Sequence, residues 1–393
     1  MLNITDINAI RADTPACESL VHFNNAGASL MPLPVQKAVA DHLALEANTG
    51  GYEAEHLAQN DLQSFYSEFA TLLNASVDEI AYVENATRAW DMAFYGLPLK
   101  EGDRILTHES EYVSNYLGLL QQAKRRNLHI DLIPSDEHGQ IDVGAISGLV
   151  TEKTKLIAIT HVPTQGGLVN PVSEIGVVAK DHGLIYMIDG CQSAGQIALD
   201  VEVLQCDILT GTGRKFLRGP RGTGFLYVRK DFLNSLDPPF VDLHSADWVS
   251  DDQFEFAAGA RRFENWESFV AGRIGLMQAV RYANAIGVAQ IESRVSALAN
   301  LLREQLCSVK GVAVHDRGLH KCGIVTLTKK GISSESMAAQ LRAKGINISV
   351  SGFSSARLDF GRRKLESLAR ASVHYFNTED EIDRFVQTVD LLK

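Results

Sequence analysis

Through the first two thirds of the chain, short runs of consecutive apolar residues recur, separated by stretches with apolar positions at i, i+3, i+4 and i+7. The runs at Ile80–Val83, Arg104–Thr107, Leu132–Pro134, Lys155–Val162, Leu184–Ile188, Asp207–Leu209 and Gly224–Val228 read as strands. Several lack polar alternation, which predicts burial on both faces. Between them Val113, Tyr116, Leu117 and Leu120 mark one helical face and Val172, Ile175, Gly176 and Ala179 another, with Gly183 as a stop for the second helix. This alternation predicts an α/β fold with a mostly parallel central sheet flanked by helices. Functional residues are then expected just after the carboxyl ends of strands.

From about residue 265 the pattern changes to two long helices, the second marked by Ile291, Val295, Leu298, Leu302 and Leu306, followed by a smaller C-terminal α+β unit. Its strands are expected at Gly323–Thr328, Ile346–Val350 and Arg370–Tyr375. The capping box Thr378-Glu379-Asp380-Glu381 opens its last helix. The expected division is an N-terminal arm (1–22) packing with the small domain, a large domain (23–264), and the long helices with the small domain (265–393).

Composition narrows the function classes. The 393 residues are 45% hydrophobic and 22% charged, as in an ordinary folded enzyme. With 37 basic and 48 acidic side chains the net charge is −11, which disfavours nucleic acid and anionic membranes as partners. Five scattered cysteines form no metal-binding pattern, so no metal is expected. No apolar run is long enough to span a bilayer, and the start lacks the pattern of a signal peptide. A cytoplasmic protein is expected.

The densest chemistry lies in LIYMIDGCQSAGQ (184–196) and CDILTGTGRKFLRGPRGTGFLYV (206–228). Asp189 ends one predicted strand, and Lys215 follows the next in a glycine-rich turn. A carboxylate and an amine at one edge of a parallel sheet suit pyridoxal phosphate (PLP), which needs a Schiff-base lysine and an acid at its pyridine nitrogen. A phosphate also needs a cradle, and Asn85-Ala86-Thr87 forms a turn before a helix expected to begin at Ala89, where free N–H groups favour an anion. Thr212 adds a possible hydroxyl.

With FNNAGASLMP (23–32), ENATRAW (84–90), HVPTQGGLVNP (161–171) and RASVHYFNTEDEIDRFV (370–386), these segments resemble the class V aminotransferase-type enzymes of PLP fold type I. Cysteine desulfurases, selenocysteine lyases, isopenicillin N epimerase-like proteins and kynureninases belong to that group. The resemblance implies that Lys215 is the Schiff-base lysine, Asp189 the partner of the pyridine nitrogen and Gln192 the partner of the phenolic oxygen. It also implies phosphate contacts from Ala86, Thr87, Thr212 and Arg214, with Thr164 and Tyr112 at the cofactor. Arg370 would clamp the substrate carboxylate, with Arg357 and Asn25 as further substrate contacts. A homodimer is implied as well, in which Glu264, Asn265 and Trp266 reach the neighbouring subunit's site.

Two departures matter. Where desulfurases of this group stack a histidine over the ring, the chain has Tyr112, within Glu111-Tyr112-Val113-Ser114-Asn115. A tyrosine can stack but supplies no imidazole near neutral pH. The desulfurase loop cysteine is also missing, because NISVSGFSSARLDF (347–360) contains none. The expectation is therefore a PLP enzyme acting on a small amino acid through an external aldimine and Cα deprotonation, by transamination or C–S lyase-type cleavage. Epimerase, racemase or selenocysteine lyase-like activity is the alternative, and a non-catalytic PLP-binding scaffold is the alternative from another class.

Overall fold

The computed structural model describes residues 2–393. Strand β1 (Val21–His22) closes the N-terminal arm. The next seven strands, β2 (Ile80–Val83), β3 (Arg104–His108), β4 (His129–Ile133), β5 (Thr154–Thr160), β6 (Ile185–Asp189), β7 (Ile208–Thr212) and β8 (Gly224–Val228), form one sheet in the order β2-β8-β7-β6-β5-β3-β4. Only β8 runs against its neighbours.

The two-residue period of a strand divides these apolar runs between two cores. Ile80, Tyr82, Leu106, Ile157, Ile159, Tyr186, Ile188, Leu209 and Phe225 face one helical layer. Ala81, Val83, Ile105, Leu156, Ala158, Met187, Ile208 and Leu226 face the other. Burial on both faces is thus why the runs lack alternation, and the carboxyl ends of β3, β5, β6 and β7 share one edge.

Strand limits differ from the sequence expectation by a few residues. β4 begins at His129, because pairing with β3 and the ion pair of Arg104 with Asp131 at 2.6 Å carry it through polar positions.

A hairpin of β9 (Ala246–Ser250) and β10 (Gln253–Phe256) stands out from the large domain, with Trp248 and Phe254 exposed. The small domain holds β11 (Val312–Val314), β12 (Ile324–Lys329), β13 (Ile346–Asn347), β14 (Ser349–Gly352) and β15 (Ser367–Ser372). An antiparallel sheet runs β11-β12-β15-β14, and β13 pairs in parallel with β1 of the arm. β15 ends at Ser372 rather than Tyr375, since the His374 N–H turns to Asn377 Oδ1 at 2.7 Å. Arg370 consequently lies within the strand, opposite Thr326 on one side and Ser349 on the other.

Ile10, Cys17 and Val21 of the arm, with Phe23 just after it, pack into the small-domain core. Helix Val270–Ile286 joins the two cores: Ile274, Leu276 and Val280 belong to the large one and Ala283 to the small one.

Candidate active site

Asp189 is the last residue of β6 and is buried. Its Oδ1 accepts from the Cys191 N–H and its Oδ2 from Asn115 Nδ2, both at 2.8 Å, so the carboxylate has a fixed direction. Lys215 follows β7 in a turn closed by the Gly219 N–H on Gly213 O at 2.8 Å. Its Nζ lies 5.9 Å from the centre of the Tyr112 ring. Among the described residues this buried ammonium has no ion pair or hydrogen bond. Burial, then the nearby Arg214 and Arg370 charges, push its pKa down, towards a neutral amine that can take a proton.

The helix after β2 starts at Ala86, three residues earlier than its apolar face suggests, because Asn85 caps it by accepting from the Arg88 N–H at 2.9 Å. The N–H groups of Ala86 and Thr87 are left for a ligand at a partly exposed helix start. Gly224 lets β8 approach this turn, since a Cβ there would meet Gly211 O at 2.7 Å and the Asn85 carbonyl carbon at 3.0 Å. Thr212 is also close to β8, its hydroxyl donating to Thr223 O at 3.3 Å.

Thr164 joins two expected contacts. Gln192 Nε2 donates to Thr164 Oγ1 at 3.2 Å and to Ala26 O at 3.1 Å. Arg370 Nη1 donates to Thr164 O at 2.8 Å and to its Oγ1 at 2.6 Å, while Nε donates to Ser349 Oγ at 3.0 Å. Nη2 of Arg370 has no protein partner among the described residues. Burial and the Arg214 charge push the Arg370 pKa down to about 10. That unfavourable environment would be relieved by a carboxylate.

Three expected contacts are placed differently. Asn25 is wholly buried; its amide donates to Ser372 O at 2.7 Å and His22 O at 3.1 Å, and its oxygen accepts from Ser29 Oγ at 2.7 Å. It braces the arm against the small domain and offers no free group to a substrate. Glu264 is likewise buried, accepting from the Tyr82 N–H at 2.8 Å and Tyr66 Oη at 2.9 Å, with His244 Nε2 at 3.1 Å. It therefore holds β2 in place instead of reaching outward. Arg357 is exposed, its guanidinium 5.3 Å over the Phe353 ring. Arg214 directs Nη1 to Gly27 O, tying the turn to the 24–29 loop.

Sequence reasoning missed a polar network behind Asp189. Asn115 Nδ2 reaches both Asp189 and Glu111 Oε1, the latter at 2.9 Å. Glu111 also accepts from Thr160 Oγ1 at 2.5 Å and the Tyr112 N–H at 2.9 Å. The parallel register that pairs Thr160 with Asp189 could have flagged Thr160. No periodic signal marks the other two.

These residues fit PLP. An uncompensated buried lysine, an oriented carboxylate, the free Ala86 and Thr87 N–H groups at a helix start and the buried Gln192 Oε1, without a donor among the described residues, are the groups its aldehyde, pyridine nitrogen, phosphate and phenol would engage. Among the described residues no three His, Cys, Asp or Glu side chains group to hold a metal, and no helix is long and apolar enough to cross a membrane.

A buried amine and a carboxylate at the carboxyl edge of such a sheet, with an arginine from the second sheet bonded to Thr164 beyond β5, define a PLP-dependent enzyme of amino-acid chemistry. The chain belongs to the aminotransferase class-V family, whose pattern matches residues 21–385. A probable cysteine desulfurase of Methanothermobacter thermautotrophicus is 30% identical over 387 residues, covering 97% of this chain and 96% of that protein. Another from Pyrococcus abyssi is 29% identical over 389 residues, covering 98% and 96%. The apo structure of a cysteine desulfurase from Thermococcus onnurineus matches with a TM-score of 0.92 and 27% identity, over 99% of this chain and 98% of that one.

Proposed function

We propose that the protein is a PLP-dependent lyase that cleaves the Cβ–S bond of a small sulfur-bearing amino acid and releases the sulfur group to solvent. The carrying observation is the segment beside Arg370: β14 and the turn after it present Ser349, Ser351, Ser354 and Ser355, and no thiol. Ser351 Oγ lies 3.4 Å from Thr164 O, so this segment lines the Arg370 pocket. Cys191, beside Asp189, is an unsuitable substitute, because burial and the Asp189 charge push its thiol pKa up. Cys322 is buried and pushed up to about 11.

When bound, PLP supplies an electron sink for the pair of electrons left on Cα. Asp189 holds a proton at the pyridine nitrogen, oriented by Asn115. Ala86, Thr87, Thr212 and Arg214 hold the phosphate, Gln192 the phenolic oxygen, and Tyr112 provides an aromatic platform. Arg370 binds the substrate carboxylate through its free Nη2, and Thr164 and Ser349 keep the guanidinium in plane. Lys215, whose burial favours the neutral amine, takes the Cα proton. Overall the Cα–H and Cβ–S bonds break, the sulfur leaves as a thiol, and water converts the remaining aminoacrylate to pyruvate and ammonium.

The same reading takes a second copy of the chain as partner and the cytoplasm as location. Tyr52, Trp266 and Phe269 are exposed around a hollow of about 700 Å³ that includes Glu84, next to the helix start at Asn85. Asn265 bridges Arg88 and Asp242 at the rim.

The test is a product balance on PLP-loaded protein with cystine and S-substituted cysteines. Pyruvate and thiol or persulfide should form in equal amounts. Alanine with sulfur retained on the protein would show a desulfurase instead, and stoichiometric pyridoxamine phosphate a transaminase. Light scattering should give twice the 43.0 kDa chain mass.

A further inference from the structure

Glu111 is a carboxylate buried without a cation. Among the described residues no arginine, lysine or histidine pairs with it, and its neighbours His108 and Glu109 turn away to Ser110, Ser135, Arg317 and Arg362. The charged group facing it is Asp189 on β6; from its own segment come the Tyr112 and Asn115 donors, from β5 the Thr160 hydroxyl, and from β3 the Thr107 hydroxyl at 3.4 Å. A buried charge without an opposite one is costly, so its retention here calls for a reason.

The connections supply one. A single amide nitrogen, Asn115 Nδ2, lies 2.9 Å from Glu111 and 2.8 Å from Asp189. The carboxylate oxygen that holds Asn115 also holds the backbone of Tyr112, whose ring faces Lys215. Resting on the PLP reading, we infer that Glu111 is a positioning residue for the reaction. Through Asn115 it orients the Asp189 carboxylate and adds negative charge behind it, and through the Tyr112 N–H it fixes the aromatic platform. Burial and the Asp189 charge push the Glu111 pKa up to about 7, in keeping with two acids sharing one donor.

Both acids favour positive charge on the cofactor side of Asp189, so removing one weakens that preference. Glu111→Gln keeps the side-chain shape and an acceptor oxygen but loses the charge. In PLP-loaded protein, the pH at which the bound chromophore titrates should fall by about half a unit or more, and kcat should drop about threefold to tenfold with KM for the amino acid unchanged. Asn115→Ala should shift the titration in the same direction, and the double variant should shift by less than the sum of the two single variants. If Glu111→Gln does not fold, Thr160→Val, which removes a donor to Glu111, should displace the same titration.

A Glu111→Gln titration that superimposes on the parent's, or shifts in the two single variants that add, overturns the inference while leaving the PLP reading intact. Parent protein that binds no PLP overturns the reading beneath it and the inference together.

Discussion

At the scale of single residues the site depends on where hydrogen-bonding capacity is spent. Asn25 and Glu264 sit in family-like motifs, yet their polar atoms are consumed by backbone and neighbouring side chains. Arg370 keeps one guanidinium nitrogen free. Glu111 gives a pH signature in the cofactor-free protein. Its folded pKa of about 7 lies above the ordinary 4.5, so its contribution to stability is fully present below pH 4.5 and lost as pH rises through about 7. Denaturant unfolding should therefore show stability falling across that window by at most about 3 kcal/mol, a slope that Glu111→Gln removes. Equal slopes in the two proteins would contradict the raised pKa. Lys215 and Asp189 were legible in the sequence because each ends or follows an apolar run, whereas Arg370 was marked only by the resemblance to the family. Asn115 and Glu111 were not legible, because their bonds to Asp189 and Thr160 join segments far apart in the chain and leave no trace in residue order.

At the scale of elements, the short helix Arg357–Arg363 ties the segment beside Arg370 to the large domain. It continues the segment from β14, and Arg362 reaches across to Glu109, just after β3, with Arg317 at 3.9 Å. Arg363 Nη2 donates to His315 O at 2.7 Å, fixing the helix to its own domain. Glu109 is thus the large domain's hold on the segment that carries Ser349. Glu109→Gln should cost only about 1 kcal/mol, because both arginine partners are substantially exposed. Its larger effect should be local: faster amide exchange over residues 349–363 and a several-fold rise in KM for the amino acid. Unchanged exchange there would show that the helix is held by packing alone. The strands of the large domain were readable to within a few residues, since two-sided burial writes itself as continuous apolar runs. The small domain was less so. β15 was placed too late because the run Val373 to Phe376, although buried, follows a turn fixed by Asn377, a tertiary contact that composition does not disclose.

At the scale of the whole molecule, one side chain links arm, large domain and small domain. Arg218, four residues after the turn begins at Arg214, has a left-handed backbone (φ 61°) and is almost fully buried, with no carboxylate partner among the described residues. Its Nη2 donates to Thr14 Oγ1 of the arm at 2.6 Å, its Nε to Leu30 O at 2.8 Å, and its Nη1 to Tyr375 Oη of the small domain at 2.9 Å. The guanidinium plane also lies 4.6 Å from the centre of the Phe376 ring. Hydrogen bonds and an aromatic face, rather than an opposite charge, therefore stabilise this cation. Because Arg218 belongs to the turn that holds Lys215, the domain junction and the reactive amine share one piece of backbone. Arg218→Met should cost about 3 kcal/mol, from three lost charge-assisted bonds partly offset by the removal of a buried charge. It should also release the arm, seen as protease cleavage within residues 1–22, and lower cofactor retention even though the Arg218 side chain bonds to none of the proposed PLP contacts. Arg218→Lys should recover little, since an ammonium cannot span three acceptors set in a fork. Full stability and cofactor retention in both variants would mean that helix Val270–Ile286 and the other bonds between the cores, such as Arg370 to Thr164 and Arg362 to Glu109, hold them together without Arg218.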